Sequence, residues 1–170
     1  SPVVNPEGVL LVQLDLDSLA TAVKETNEKA ALLGALRVQP GLNSLSKAVK
    51  EAKEQGIGSL LLESGVHDEE GETITIDFAL KVVGQNKDDV KIRAGLYIRG
   101  KEEEDVFFTD LTVTGAKDVG ISGDVYGSGA SLHLNNVCVE NCEGIGVVVC
   151  STTRNTMTDC NVNNNKGSGV

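Results

Sequence analysis

Apolar and polar residues alternate over short runs through the C-terminal two-thirds of the chain, and Asn, Asp or Gly closes each run. One run carries Val106, Phe108, Leu111 and Val113; another carries Leu132, Leu134, Val137 and Val139. Alternation over so few residues predicts strands with one buried face. The runs also recur in phase. Residues 132–141 align with 155–164, Gly144-Ile145-Gly146-Val147 aligns with Gly167-Ser168-Gly169-Val170, and 106–113 falls into the same frame upstream of 132–139. Asp110, Asn136 and Asp159 occupy one position of that frame, where two strands must change direction within a pair of residues. Asn and Asp tolerate the left-handed backbone such a bend needs. Ordinary hairpins would not put the same residue classes at the same phase in successive units, so the pattern predicts a solenoid, each unit covering the next. Met157, Cys160 and Val162 are expected to join the inward set.

Upstream, Leu45, Ala48, Val49 and Ala52 share one helical face, with Asn43 or Ser44 placed to cap the start and Gly56 to end it. The pattern predicts a helix over 44–55, a strand over 59–62, a turn at Ser64-Gly65-Val66 and strands over 73–76 and 80–84. Residues 1–41 read differently. Leu19, Ala22, Val23, Ala30 and Leu33 give a helical stripe that Thr26-Asn27 interrupts. Two short helices, roughly 17–25 and 28–36, are expected there, forming a leader or docking segment that Pro40-Gly41 separates from the solenoid of 42–170.

With its opening helix and in-phase strands, the stretch from 43 to 170 resembles the right-handed parallel β-helix family with the pectin-lyase fold. The resemblance implies a mainly β protein, a right-handed parallel β-helix solenoid whose N-terminal end is capped by the helix. It also implies where enzymes of that fold carry chemistry: outward aspartates that bind calcium, with a basic residue, or clustered aspartates that hydrolyse a glycosidic bond. No catalytic residue carries over. The recurring Asp positions, Asp110 and Asp159, are explained by the bends, and the Asn-Thr-Asp, Gly-His-Gly and Arg-Ile-Lys patterns of the hydrolase branch are absent.

Composition narrows the partners. A net charge of −10 excludes a nucleic-acid or anionic-membrane footprint, and no apolar run is long enough to span a bilayer as a helix. The acidic clusters at Asp68, Glu69, Glu70 and Glu72, at Asp88 and Asp89, and at Glu102, Glu103, Glu104 and Asp105 lack the order of a dedicated calcium loop, so they are expected to be solvated turns without a metal. No cofactor is implied. His67 and His133 are expected at the surface, and Gly127-Ser128-Gly129 and Gly167-Ser168-Gly169 are expected to be turns, since no Walker pattern follows. Of the four cysteines, Cys138, Cys142, Cys150 and Cys160, the frame turns Cys138 outward and Cys160 inward, so these two should not bridge and Cys160 should be a free thiol.

The sequence therefore predicts a non-catalytic β-helix acting as a structural or binding subunit of an assembly. The alternative is a carbohydrate-active protein, or part of one, with a polysaccharide ligand. Val170 falls at the phase of Val147, in mid-coil, so a protein partner or further chain is expected over the last coil. Interface candidates are Leu19, Val23 and Leu33 on the leader and Asn164, Ser168 and Val170 at the other end. Ser1 in place of Met points to a processed chain, secreted or organellar, for example in a plastid lumen.

Overall fold

The structure, a computed structural model, describes residues 34–101, 103–117, 125–150 and 154–167, with the backbone of 3–4 and 10–11. The chain divides into two compact units, Ser1–Gly34 and Ala35–Val170. The first contains an antiparallel strand pair, β1 (Val3–Val4) and β2 (Leu10–Leu11). The expected helix over 17–25 and most of the one over 28–36, with Leu19, Val23 and Leu33, lie outside the described residues. The end of the second helix is corrected: Leu36 opens a strand, because it is needed beside Leu60 in a parallel ladder.

The second unit is a parallel β-solenoid. Its first ladder stacks β3 (Leu36–Val38), β5 (Ser59–Leu62), β7 (Leu80–Gly84), the first halves of β9 (Asp105–Thr114) and β11 (Ser131–Glu140), and β13 (Thr156–Thr158). A second ladder joins β4 (Gly41–Leu42), the first halves of β6 (Gly65–Ile76) and β8 (Val90–Arg99), the second halves of β9 and β11, and β14 (Asn161–Asn163). The third runs through the remaining halves of β6 and β8, then β10 (Val125–Ser128) and β12 (Val147–Cys150). Every pairing in this unit is parallel, which excludes a set of hairpins.

The repeat frame is the observed register. Phe108 pairs with Leu134 and Leu134 with Met157, while Val113 pairs with Val139 and Val139 with Val162. Asp110, Asn136 and Asp159 all have positive φ, at 55°, 52° and 53°, and Asn136 Nδ2 donates to Asp110 Oδ1 at 2.7 Å. The bend is thus repeated in three coils and stacked between two of them, the Asn136 amide bonding to the coil beneath. The close approach reaches the next coil: a Cβ on Gly84 would run into the carbonyl oxygen of Asp110.

Inward residues from the three ladders fill one core. Val106, Phe108, Leu111, Val113, Leu132, Leu134, Val137 and Val139 are all buried, as the alternation requires. Truncating one of the larger of these to Ala is expected to cost about 2–5 kcal/mol. The last rung differs from expectation. Met157 keeps the inward register but is 42% exposed, and Cys160 and Val162 are half-buried, because no described coil lies over them.

Helix α1 (Ser44–Gln55) buries Leu45, Ala48, Val49 and Ala52 in that core and ends at Gly56, whose left-handed backbone returns its N–H to Ala52. Two details of the expected cap are corrected. The helix follows β3 and β4 rather than preceding all strands, and Asn43 makes no side-chain cap bond. The acceptor comes from β6: Glu69 Oε1 takes the N–H groups of Leu45 and Ser46 at 2.9 and 3.0 Å. Near the same point β6 is continuous from Gly65, so the turn at 64–66 shrinks and the strand over 73–76 is its second half. Its register breaks between Asp68 and Thr73, at Glu70 and Gly71, which both have positive φ.

Candidate functional site

Side chains that alternate with the core residues of the first ladder stand in columns on its outer face, one strand spacing apart. One column is chemically distinct. Lys81 pairs with Phe107, Phe107 with His133, and His133 with Thr156 in the strand register. The Lys81 ammonium lies 5.6 Å from the Phe107 ring centre, and the Phe107 and His133 rings stack at 4.4 Å with an interplanar angle of 15°. Below it, Gly58, Lys81, Glu103, Asp105 and Phe107 line a shallow pocket of about 420 Å³.

Asp105 joins this column from the start of β9. Its Oδ1 accepts from His133 Nε2 at 3.1 Å and sits 3.3 Å from the Arg154 guanidinium. A carboxylate oxygen can only accept, so Nε2 carries a hydrogen, and Nδ1 shares a hydrogen bond of 2.8 Å with the Thr156 hydroxyl. His133 does face outward as expected, but it is held on both nitrogens and on one ring face. Asp105 was grouped by sequence with the acidic loop of 102–105. Its alignment with Ser131, two residues before the Phe107–His133 pair, was the available signal that it belongs to the strand.

The other sequence candidates fall elsewhere. His67 is corrected from the surface to the interior: it is buried, with Nε2 donating to the Glu63 carbonyl and Nδ1 accepting from Ser44 Oγ, both at 2.9 Å. Burial lowers its pKa from the usual 6.5, partly opposed by the Glu63 carbonyl and the charges of Glu69 and Glu63. The alternation around it, Val66 out and His67 in, was legible, but an acidic setting suggested solvent. The expectation of solvated acidic turns holds only in part. Glu69 is buried under α1, and Asp68 pairs with Arg93 at 3.0 Å.

Cys138 points away from the core, yet the loop of 85–89 covers it; Thr112 Oγ1, on the adjoining strand, donates to Lys87 O at 2.9 Å. Burial pushes its thiol up to about 11, and the Glu140 carboxylate adds to the shift. None of the four cysteines is in a disulfide, and Cys160 packs against the core. Gly127 and Ser128 are corrected from turn to strand, in β10, with the turn starting at Gly129. Asn164 is exposed, at a positive-φ bend, and Ser168 and Val170 lie outside the described residues. Among the described residues no three His, Cys, Asp or Glu side chains are grouped to hold a metal ion, and no helix is long and apolar enough to cross a membrane.

The family profile described as a right-handed beta helix region matches residues 64–170, more than half of the chain. The chain belongs to the right-handed β-helix family. No curated protein and no solved structure matches it. The matched stretch begins at the corner between the first two ladders and takes in both the stacked bend and the outer-face column of this β-helix.

Proposed function

We propose that this β-helix is non-catalytic and serves as a structural or binding subunit of a larger protein assembly, with a protein β-segment laid over its last described rung. The support is a contrast within single columns. Leu134 is 1% exposed and its register partner Met157 42%; Val149 ends a neighbouring inward column at 40%. A strand set on β13 and β14 would cover Met157 and Val162 and pair the outer backbone edge of those strands, and its continuation over β12 would cover Val149, the combination that drives solenoids to stack or associate. The outer-face column is consistent with a rigid wall. Asp105 already serves His133 and Arg154, and acid–base chemistry on a glycosidic bond needs two carboxylates at matched separation.

Light scattering across a concentration series, with hydrogen exchange resolved by coil, tests this. Association that protects 156–163, and that Met157→Lys abolishes without lowering the melting temperature, is the expected result. A monomer at every concentration whose last rung exchanges as slowly as β11 would remove the support. A second reading, a polysaccharide lying along the first ladder, rests on the Phe107–His133 stack beside Lys81. Glycan-array binding lost in Phe107→Ala would favour it over a protein partner.

A further inference from the structure

A second concavity lies on another side of the solenoid, between α1 and β6, with a volume of about 560 Å³, in the range of small-molecule sites. Its floor is apolar, from Val49, Ile74 and Phe78. Its two ends carry opposite charge. At the start of the helix stand Glu69 and Glu70; at its end stand Lys53, which is bonded to Asp77 at 2.8 Å, and Arg99. The hydrogen bond from Lys53, reinforced by the charge of Arg99, holds the Asp77 carboxyl below its usual range. The helical rise from Ser46 to Lys53 sets the two ends about 10 Å apart.

Glu69 makes this more than a surface cleft. Its residue is only 5% exposed, and Oε1 is spent on the N–H groups of Leu45 and Ser46. Oε2 has no hydrogen-bond partner among the described residues, although the side chain lines the cavity. A buried carboxylate oxygen without a donor costs free energy that a ligand can recover. At the far end, Arg99 makes no hydrogen bond or salt bridge among the described residues, while its planar fork suits a carboxylate. Lys53 is occupied by Asp77, and Glu72 at the acidic end is occupied by Lys117 at 3.3 Å, so the uncommitted groups are an anion at one end and a cation at the other.

We infer that this groove binds a short peptide with free termini, its ammonium group on Glu69 Oε2 and Glu70 and its carboxylate on Arg99. An extended chain of three residues spans about 10 Å between those groups. The hydroxyls of Ser46, Thr73 and Thr75 then flank its backbone amides. No bond is made or broken, and the site discriminates by charge separation and length.

Triglycine is the probe, followed by calorimetry and by amide chemical shifts on the intact chain. Saturable binding that shifts the Ser46 and Thr75 amides is expected. It should weaken by about tenfold or more with N-acetyl-triglycine, with triglycine amide, and with Arg99→Gln. Glu69→Gln should weaken the native probe similarly; should it also loosen α1, the blocked peptides and Arg99→Gln still decide. The proposal is overturned by an absence of saturable binding, by blocked peptides binding as well as triglycine, by putrescine competing equally, or by Arg99→Gln leaving affinity unchanged. None of these outcomes bears on association at the last rung.

Discussion

The first and last described rungs of the solenoid are built from the same ladders and covered in opposite ways. At one end α1 lays Leu45, Ala48, Val49 and Ala52 into the core, and Glu69 from the neighbouring coil satisfies the helix's first N–H groups. At the last described rung the inward column reaches Met157, and two asparagine amides add to the parallel ladders of β13 and β14 with β11. Asn155 Oδ1 takes the N–H of Leu132 at 2.9 Å, and Asn165 Oδ1 takes that of Cys142 at 3.0 Å. Side-chain acceptors thus serve backbone N–H groups in both places, while apolar cover among the described residues is complete only at the first. Register and burial are separable: a residue can hold its column position without contributing core stability.

The sharpest way to break that distinction is to place the same charge in adjacent rungs. Leu134→Asp should bury an unpaired carboxylate and cost about 4 kcal/mol or more, read from a denaturant or thermal melt. A melt unchanged by that substitution would refute the core assignment. Removing the acceptor that joins helix to coil comes next. Glu69→Ala leaves two helix N–H groups without a partner and should cost about 1–3 kcal/mol, with faster amide exchange at Leu45 and Ser46.

His67 supplies a smaller, pH-dependent effect at the same end. Its folded pKa lies below 6.5, so the unfolded chain binds the proton more readily. Its stabilising contribution is full above about pH 6.5 and is lost as pH falls toward the folded value. The Glu63 and Glu69 carboxylates face it, and melts between pH 7 and 5 of the parent and of His67→Gln should diverge at neutral pH and converge on acidification. Curves that stay parallel would rule out this role. The smallest effect is expected from Met157→Asp, within about 1 kcal/mol for the isolated chain. A loss matching that of Leu134→Asp would mean that the last rung is covered after all.

How far the fold could be read from sequence depended on the corner. Asp110, Asn136 and Asp159 occupy a bend with no room for variation, so strands on both sides kept their phase and the register was legible residue by residue. In the earlier coils the same corner is built differently. There the loop of 85–89 separates β7 from β8, and at the following corner β6 is broken at Glu70 and Gly71, so the frame could not be extended there and β3, β4 and the long β6 were missed. The column Lys81–Phe107–His133–Thr156 was implicit in the alignment, but Asp105 was hidden by its acidic neighbours. Glu69 and His67 were misjudged because local composition says nothing of a helix arriving from another coil.

The stacked bend at Asp110, Asn136 and Asp159 also divides the chain into places that can and cannot change length. One residue added beside Asn136 would rotate the rest of β11 by one pleat, turning Val137 and Val139 outward and Cys138 inward, and the next rung would inherit the fault. The same addition within 85–89 would only enlarge a surface loop. Insertions and deletions can therefore accumulate at this corner in the coil of 85–89, while the same corner from Asp110 through Asn136 admits only replacements or the gain and loss of a whole coil.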